Sequence, residues 1–200
     1  MAKNLEKRVE ELEKIVNKLI GKTVIKAKKV GDTFVLLGIT WKVLDITEKG
    51  NMCLAEKLEE RMKFDSSCND WKASDLRNYL NVEFYKKLAE EIGEANIIPF
   101  KRDLLSLDGQ TEHGTCEDKV SLLTFDEYRK YRSLIPNTND YWWWLITPDS
   151  TKCNRDTTWV TVVASSGGFN FSFYYNGRGV RPFCIFSSSI FESGVVKEIE

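Results

Sequence analysis

The last third of the chain constrains the fold most, because it has the pattern of several short aromatic β-strands in succession. It contains the runs YWWWLITP, TTWVTVVAS, FNFSFYY and VRPFCIF, with the turn sequences SSGG and NGRG among them. Aromatic and β-branched residues favour strands, and Ser, Asn and Gly favour the tight turns that join them. We therefore expect this segment to form an antiparallel sheet.

The first half of the chain combines strand-like and helical patterns. Residues 23–58 are rich in β-branched and aromatic residues, with turn signals at residues 31–32 and 48–51, which predicts a β-meander. From Trp71 to Ile92 the pattern is helical, with Ser74 as the N-cap and apolar residues at a spacing of four. These apolar residues are Leu76, Leu80, Phe84 and Leu88.

The middle of the chain predicts a loop followed by short elements. Residues 101–119 are polar and predict a long loop, and residues 120–123 predict a short strand. Thr124 and Glu127 have the spacing of a capping box, which predicts a helix that starts at this point. Strands and helices in this order, with no long linker, predict a single α+β domain over residues 22–200.

An amphipathic helix is predicted at residues 4–20, within an N-terminal segment of residues 1–21. Its apolar residues recur at alternate spacings of four and three, as at the a and d positions of a coiled coil. A helix this short is marginal alone, so its apolar stripe must pack against something. Two arrangements remain open, a coiled coil that makes the protein a homo-oligomer (a dimer or a trimer) and docking on the chain's own domain. The stripe consists of Leu5, Val9, Leu12, Val16 and Leu19.

Composition argues against several classes of partner. The chain has 29 Lys and Arg against 30 Asp and Glu, a net charge of -1, so it lacks the basic excess of nucleic-acid-binding proteins. We expect no nucleic acid partner. No apolar run reaches the roughly 20 residues that span a bilayer, so we expect no membrane insertion. No apolar signal region is visible near the N-terminus, and we expect synthesis in the cytoplasm without a signal peptide.

The sequence contains no motif that indicates catalysis, a metal or a cofactor. Its five cysteines form no CxxC pair and are expected to be reduced thiols, and its single histidine, His113, lies in a polar stretch. Phosphate-binding glycine loops, HExxH and GxSxG are all missing. We expect no metal site, no cofactor and no enzymatic activity.

The run FNFSFYY has two faces of different character. Alternate residues of a strand share a face, so Asn170, Ser172 and Tyr174 lie opposite the aromatic residues at 169, 171, 173 and 175. Tyr, Ser and Asn together are typical of recognition surfaces. We expect one face to be core and the face with Asn170 to bind a ligand, although a one-residue shift in register exchanges the two faces.

Five groups of residues, in order along the chain, resemble the variable proteins of diversity-generating retroelements. These proteins have the C-type-lectin-like fold of the formylglycine-generating-enzyme-like subtype. The resemblance covers residues 23–191 and implies a C-type-lectin-like domain with a mixed antiparallel sheet and flanking helices. The matching groups are residues 41–45 (WKVLD), the helix motif of Trp71, Ser74, Leu76, Arg77, Leu80, Asn81 and Phe84, residues 118–123 with 127–128, residues 143–145 (WWL) and residues 179–182 (GVRP).

The resemblance implies a function in binding. In that family, template-directed mutagenesis changes adenines in Asn-type codons, and here the variable region would be residues 147–178. The implied protein binds a protein or cell-surface ligand and belongs to a phage tail or a bacterial cell surface. The implied ligand contacts are Asp149, Thr151, Asn154, Asp156, Thr158, Thr161, Ser165, Asn170, Ser172, Tyr174, Asn176 and Arg178.

The resemblance also implies a constant framework beneath the variable residues. Trp143 and Trp144 would pack under the binding face, and Arg181 would be a buried, hydrogen-bonded anchor. The implied framework residues are Trp143, Trp144, Leu145, Gly179, Val180, Arg181 and Pro182.

The chain departs from this family and its superfamily in three ways. Relatives often have WWLRSP where this chain has WWLITP, and no calcium–sugar signature (EPN or WND) is present. Cys153 and Cys184 are far apart, unlike the close cysteine pair of the formylglycine-generating enzymes. Two other functions remain open, a fixed-specificity virion structural or assembly module and an oxidative enzyme of the formylglycine-generating class.

Overall fold

The computed structural model describes Arg8, Leu12 and residues 28–58, 60–152, 157–191 and 196–198. The predicted helix at residues 4–20 therefore lies outside the described residues, apart from Arg8 and Leu12, which are helical and exposed. The oligomer predicted through it lies outside them too, and so do most of the strand predicted at residues 23–30 and the predicted ligand contacts Asn154 and Asp156.

The predicted meander forms the centre of a six-stranded sheet. All neighbouring strands in this sheet are antiparallel, and β2 and β3 are joined by a two-residue turn where a turn was predicted. The strands, in the order in which they lie in the sheet, are β11 (Lys197–Glu198), β1 (Thr33–Leu36), β2 (Ile39–Thr47), β3 (Gly50–Ala55), β10 (Phe183–Phe186) and β4 (Ile97–Ile98).

The segment predicted as a polar loop contains an antiparallel hairpin. Strands β5 (Phe100–Asp103) and β6 (Thr115–Asp118) pair along their length. The prediction of an unbroken loop at residues 101–119 was wrong, because the alternation that marks β5 is carried by an arginine. Phe100 and Arg102 are buried while Lys101 and Asp103 are exposed, and the pattern looks polar in the sequence.

The aromatic C-terminal third forms a three-stranded antiparallel sheet. Its strands are β7 (Trp143–Pro148), β8 (Trp159–Val163) and β9 (Phe169–Phe173), in that order, so β9 is an edge strand. The turn predicted at residues 165–168 follows β8. The turn after β9 spans residues 173–176 and so precedes the predicted 176–179, where residues 178 and 179 form bridges instead. Three of the twelve predicted ligand contacts lie in its strands, Thr161, Asn170 and Ser172, and the other described ones lie in the segments that flank these strands.

The long predicted helix has three parts. Helices α1 (Asp75–Tyr79) and α2 (Tyr85–Ile92) are joined by a π-helical turn, Leu80–Phe84. Ser74 is the N-cap, and its side chain accepts a hydrogen bond from Arg77 N. A strict four-residue repeat drifts around a helix of 3.6 residues per turn, and the wider π turn keeps the apolar ridge on one side. All four ridge residues are buried.

The third helix, α3 (Phe125–Tyr131), begins at the predicted capping box. The Thr124 side chain accepts from Glu127 N, and the Glu127 carboxylate accepts from Thr124 N. The same carboxylate binds Arg102 through two hydrogen bonds of 2.7 and 2.6 Å. This pair joins α3 to the β5–β6 hairpin.

Both faces of the central strands are buried, and the core has two clusters. Trp144, Ile146 and Cys184 belong to the larger cluster, which also contains the apolar residues of α1 and α2. Trp143, Leu145 and Phe183 belong to the smaller cluster with Tyr128 and Tyr131 of α3. The unbroken apolar runs WWL and FCIF result from this, since neighbouring residues point into different clusters. The architecture is α+β with antiparallel sheets, as predicted.

Candidate binding face

The three-stranded sheet has one face in the core and one that is partly open. Across β8 and β9, Val160 pairs with Ser172, on the side of the larger core cluster. On the opposite side Trp159 pairs with Phe173 and Thr161 with Phe171. Strand pairing therefore places the aromatic residues of β9 together with Trp159.

This second side carries a row of rings that we call the aromatic face, which consists of Trp159, Phe169, Phe171, Phe173 and Tyr175. Trp159 stacks on Phe173 with ring centroids 3.9 Å apart, and Phe173 stacks on Tyr175 at 5.1 Å. Phe169 is 53% exposed and Tyr175 is 46% exposed. The other three rings are half-buried.

Helix α3 covers one end of this side. Phe125 contacts the ring of Phe169 at 5.0 Å, and Tyr128 contacts Trp143 at 5.6 Å while its hydroxyl donates to Gly167 O. Beyond this end, Phe173 and Tyr175 retain solvent exposure. Helix α3 therefore covers the Trp143 end of this side and contacts the aromatic face only at Phe169, which remains exposed.

The prediction that Ser172 contacts a ligand was wrong in its placement of the side chain. Ser172 is buried beside Val160, and its Oγ accepts hydrogen bonds from Arg178 Nε at 2.9 Å and Asn176 Nδ2 at 3.2 Å. Tyr174 is half-buried and packs against the larger core cluster. The physical reason is the register, which places Ser172 opposite the buried Val160.

Two threonines predicted as ligand contacts are also buried. Thr161 is on the aromatic side but fully covered, and its Oγ1 donates to Thr147 O at 2.7 Å. Thr151 is fully buried at the end of the loop that follows β7. Neither side chain can contact a ligand in this conformation, because neither has any solvent-accessible surface.

The other predicted contacts keep some exposure. Asn170 is exposed, next to the exposed Phe169. The half-buried ones are Asp149, Thr158, Ser165, Asn176 and Arg178. Asn176 ends the turn of residues 173–176 and Arg178 pairs with Met62 beyond it. Both side chains donate to Ser172 Oγ, on the side of β9 opposite the aromatic face.

Arg178 is held in place from several sides. Its guanidinium lies over the ring of Trp142, with Cζ 5.1 Å from the centroid, and its backbone pairs with Met62 in both directions. Burial, with a smaller contribution from the charge of Arg61, lowers the pKa of Arg178. The guanidinium therefore has a fixed orientation, between Trp142 and Ser172.

All residues predicted as framework are buried, from Trp143 to Leu145 and from Gly179 to Pro182. Trp144 donates from Nε1 to Met62 O at 2.8 Å, and the Cζ of Arg181 lies 4.8 Å from the Trp143 ring centroid. Gly179 is needed where it is, because a Cβ there would lie 2.7 Å from the Tyr141 ring.

Sequence reasoning missed the aromatic face itself. It identified the two sides of β9 correctly but assigned binding to the polar one. The sequence did contain a signal. Four aromatic residues occupy the alternate positions 169, 171, 173 and 175, and the short helix beside them cannot cover four rings.

The cysteines that are described are free thiols in two environments. Cys53 and Cys184 face each other across β3 and β10, both fully buried, and burial raises the pKa of each thiol far above its ordinary value. A thiol kept protonated is a poor nucleophile and a poor metal ligand. Cys68 and Cys116 are half-buried, and Cys153 lies outside the described residues.

The described residues contain neither a cluster of metal ligands nor a membrane-spanning helix. Among them, no three His, Cys, Asp or Glu side chains are close enough together to hold a metal ion. None of the described helices has the length and apolarity to cross a membrane.

Comparison with known proteins gives a family and no further relative. No curated protein and no solved structure matches the chain. One family model matches residues 48–188, from the turn before β3 to the end of β10, and thus includes the whole aromatic face. The chain therefore belongs to the family described as a domain of unknown function, DUF6273.

Proposed function

We propose that this protein is a binding protein that presents the aromatic face to a macromolecular ligand. One observation carries the proposal. Trp159, Phe173 and Tyr175 form a stack that is half-buried at Trp159 and Phe173 and exposed at Tyr175, on a sheet whose other side is fixed in the core.

The exposure of these apolar rings in the free protein supports a role in binding. Exposed large apolar side chains that lie next to one another are unusual in a monomer, and such patches mark interaction sites. Aromatic residues and arginine are also the residue types that most often dominate binding energy.

The rigidity of the support matters as much as the chemistry of the rings. The strand β8 is buried on its other side by Val160 and Val162, and β9 is bonded to it along its length. A ring that is already fixed loses little conformational entropy when a ligand binds. The backbone can stay constant while the outward side chains change.

We further propose that these side chains are diversified and that the scaffold is of the C-type-lectin-like kind. The resemblance in the framework supports this, and so does the residue set of β9. Phe, Tyr, Ser and Asn, which make up residues 169–176, can all arise from an Asn codon by changes at its adenines.

The proposal extends to assembly and location. The predicted helix at residues 4–20 would join two or three copies, and joined copies gain avidity when their sites reach one surface together. The location that fits such a protein is a phage tail or a bacterial cell surface.

The DNA around the gene tests the proposal. We expect a reverse transcriptase gene and a near-copy of the segment encoding residues 143–182, differing only where the template has adenine. The structure makes the expectation specific by position. Variable codons should include Phe171, Phe173 and Tyr175, whereas the codons of the buried Val160 and Thr161 should not vary.

Two outcomes would contradict the proposal in different parts. Differences concentrated at buried positions would overturn the choice of the aromatic face. Absence of any template would remove diversification and favour a fixed-specificity virion structural or assembly module. In that case the purified virion should contain the protein with Tyr175 protected from chemical modification, and a Tyr175 that stays reactive there would overturn binding through this face.

A further inference from the structure

A cavity next to the framework contains a buried arginine that no described residue neutralises. The cavity has a volume of about 310 Å³ and is lined by the loop of residues 136–141, by Glu56 and Lys57, and by Arg181. It is formed by residues other than those of the aromatic face, so a ligand in this cavity would be independent of the proposed function.

Arg181 is only 4% exposed, yet its hydrogen bonding is incomplete. Its Nε donates to Ala55 O at 3.0 Å, and the guanidinium lies over the Trp143 ring. Within the described part of the chain, neither Nη donates a hydrogen bond and no carboxylate lies within 4.0 Å. Burial lowers the pKa of Arg181, although the nearby Tyr141 and Glu56 act in the opposite direction.

Arg102 shows how this chain pairs the charge of an arginine buried to the same degree. It is 3% exposed, and both of its Nη groups bind the carboxylate of Glu127 in a bidentate pair. A buried charge without such a partner is strongly unfavourable. Arg181 is buried to the same degree as Arg102, but it faces a cavity where Arg102 has a carboxylate. Both of its Nη groups can therefore donate hydrogen bonds to a ligand.

We propose that the cavity is a binding site for a carboxylate. Arg181 would bind this carboxylate through a bidentate pair, as Arg102 binds that of Glu127. The planar guanidinium offers its donors in a fork that matches a carboxylate. A volume of about 310 Å³ is about ten times the share of one water in the liquid, which leaves room for acetate or the end of a peptide.

The charges around the cavity favour a singly charged anion. Lys57 adds a second cation, with Nζ 4.7 Å from the centroid of the Tyr141 ring, while Glu56 and Asp140 contribute negative charge at the rim. The lining is therefore balanced, and a doubly charged phosphate would meet more repulsion than a carboxylate would. A small free acid and a peptide C-terminus present the same group.

The experiment follows the Nε–H resonance of Arg181 in the ¹⁵N-labelled full chain. The probes are acetate, N-acetyl-trialanine, its C-terminal amide, phosphate and chloride, at matched ionic strength. We expect saturable shifts with acetate, weaker ones with phosphate and none with chloride. Binding of the peptide acid but not its amide, tighter than acetate, would identify a peptide terminus as the source, and acetate binding more tightly would identify a small acid.

Variants separate this site from general anion binding. Arg181→Lys keeps the charge but loses the fork, and acetate should bind it about tenfold or more weakly, as expected for the loss of a charge-assisted pair. Arg129→Lys, an exposed arginine on α3, is the matched control and should bind acetate unchanged. If Arg181→Lys does not fold, the wild-type titration decides, with chloride as its control.

Two results would overturn the proposal. One is an Arg181 resonance that responds equally to every anion or to none. The other is a resonance that acetate leaves unchanged but the double variant Glu56→Gln with Asp140→Asn shifts, because the guanidinium then has an internal partner.

Discussion

The two sides of the β7–β9 sheet are formed by the same three strands but differ in burial. On one side Trp144, Val160 and Val162 are fully buried among residues of α1 and α2. On the other, only the end near Phe169 is covered by α3, and the rings of Trp159 and Tyr175 keep exposure. The comparison shows that burial depends on which helix reaches a face, since the alternation in the strand is the same on both sides.

The same comparison separates aromatic residues that stabilise the fold from aromatic residues that favour association. A buried ring contributes to the free energy of folding, whereas exposed neighbouring rings contribute little and favour association. A chain that places rings on its open side departs from the rule that governs the rest of its core, and such departures are expected at functional sites. Matched substitutions on the two sides test this division.

The largest effect is expected on the core side. Trp144→Ala should lower the free energy of unfolding by about 3–5 kcal/mol, because it empties a large volume in the core and leaves Met62 O without its Nε1 donor. Urea unfolding measures this. Trp159→Ala, the matched change on the aromatic face, should cost about 1 kcal/mol. Equal losses would mean that Trp159 is as much a core residue as Trp144.

A second test removes the support of the helix that covers part of the open side. Glu127→Gln leaves Arg102 buried without a carboxylate and weakens the capping box, so we expect a loss of about 3 kcal/mol at neutral pH. Burial raises the pKa of Glu127, but the charge and hydrogen bonds of Arg102 outweigh it, and the pKa lies below its ordinary value of 4.5.

The direction of that shift predicts a pH dependence. A carboxylate with a lowered pKa contributes stability that is complete above its unfolded pKa and disappears as the pH falls through the folded value. The difference between wild type and Glu127→Gln should therefore be largest at neutral pH and shrink below about pH 4.5. Denaturation at a series of pH values measures it, and a constant difference would exclude an ionised Glu127 as the source.

A smaller effect distinguishes a buried from an exposed residue on the polar side of β9. Ser172→Ala removes the acceptor shared by Arg178 and Asn176 and should cost about 1 kcal/mol. Asn170→Ala, two residues away on the same strand but exposed, should stay within about 0.5 kcal/mol of wild type. The reverse order in thermal unfolding would mean that Ser172 is not the buried acceptor of these two hydrogen bonds.

Local sequence signals predicted much of the fold. The cap at Ser74, the capping box of Thr124 and Glu127, and the two-residue turn before β3 each depend on residues close in sequence. The β5–β6 hairpin was not predictable in this way, because its inward residue Arg102 is satisfied by Glu127, 25 positions away. Local pattern cannot show that a polar residue has a distant partner.

The candidate site was predictable as a region but not as a surface. Alternation in FNFSFYY separates its two sides, and both contain a residue type that suits recognition. The choice between them depends on Val160 facing Ser172 and on the short reach of α3, and both are long-range facts. For the same reason the cavity of Arg181 had no signal beyond the GVRP motif.

The smallest effect on stability is expected at Tyr175, where the effect on binding should be largest. Tyr175→Ser removes an exposed ring that stacks on Phe173 and should change the free energy of unfolding by about 0.5 kcal/mol or less. Tyr128→Ser is the matched control, since Tyr128 is buried and contacts Trp143, and its loss should exceed about 2 kcal/mol.

The same pair of variants tests whether the open side is a binding surface. Tyr175→Ser should fold like wild type but lose at least about tenfold in affinity for whatever surface the wild-type protein retains, as expected for an aromatic residue in a binding site. Phage particles or cells that bind the wild-type protein supply the measurement. If Tyr175→Ser binds them as well as wild type does, the exposed rings do not contact the ligand. If it unfolds as readily as Tyr128→Ser, Tyr175 is part of the core, and the division between the two sides of the sheet is wrong at this position.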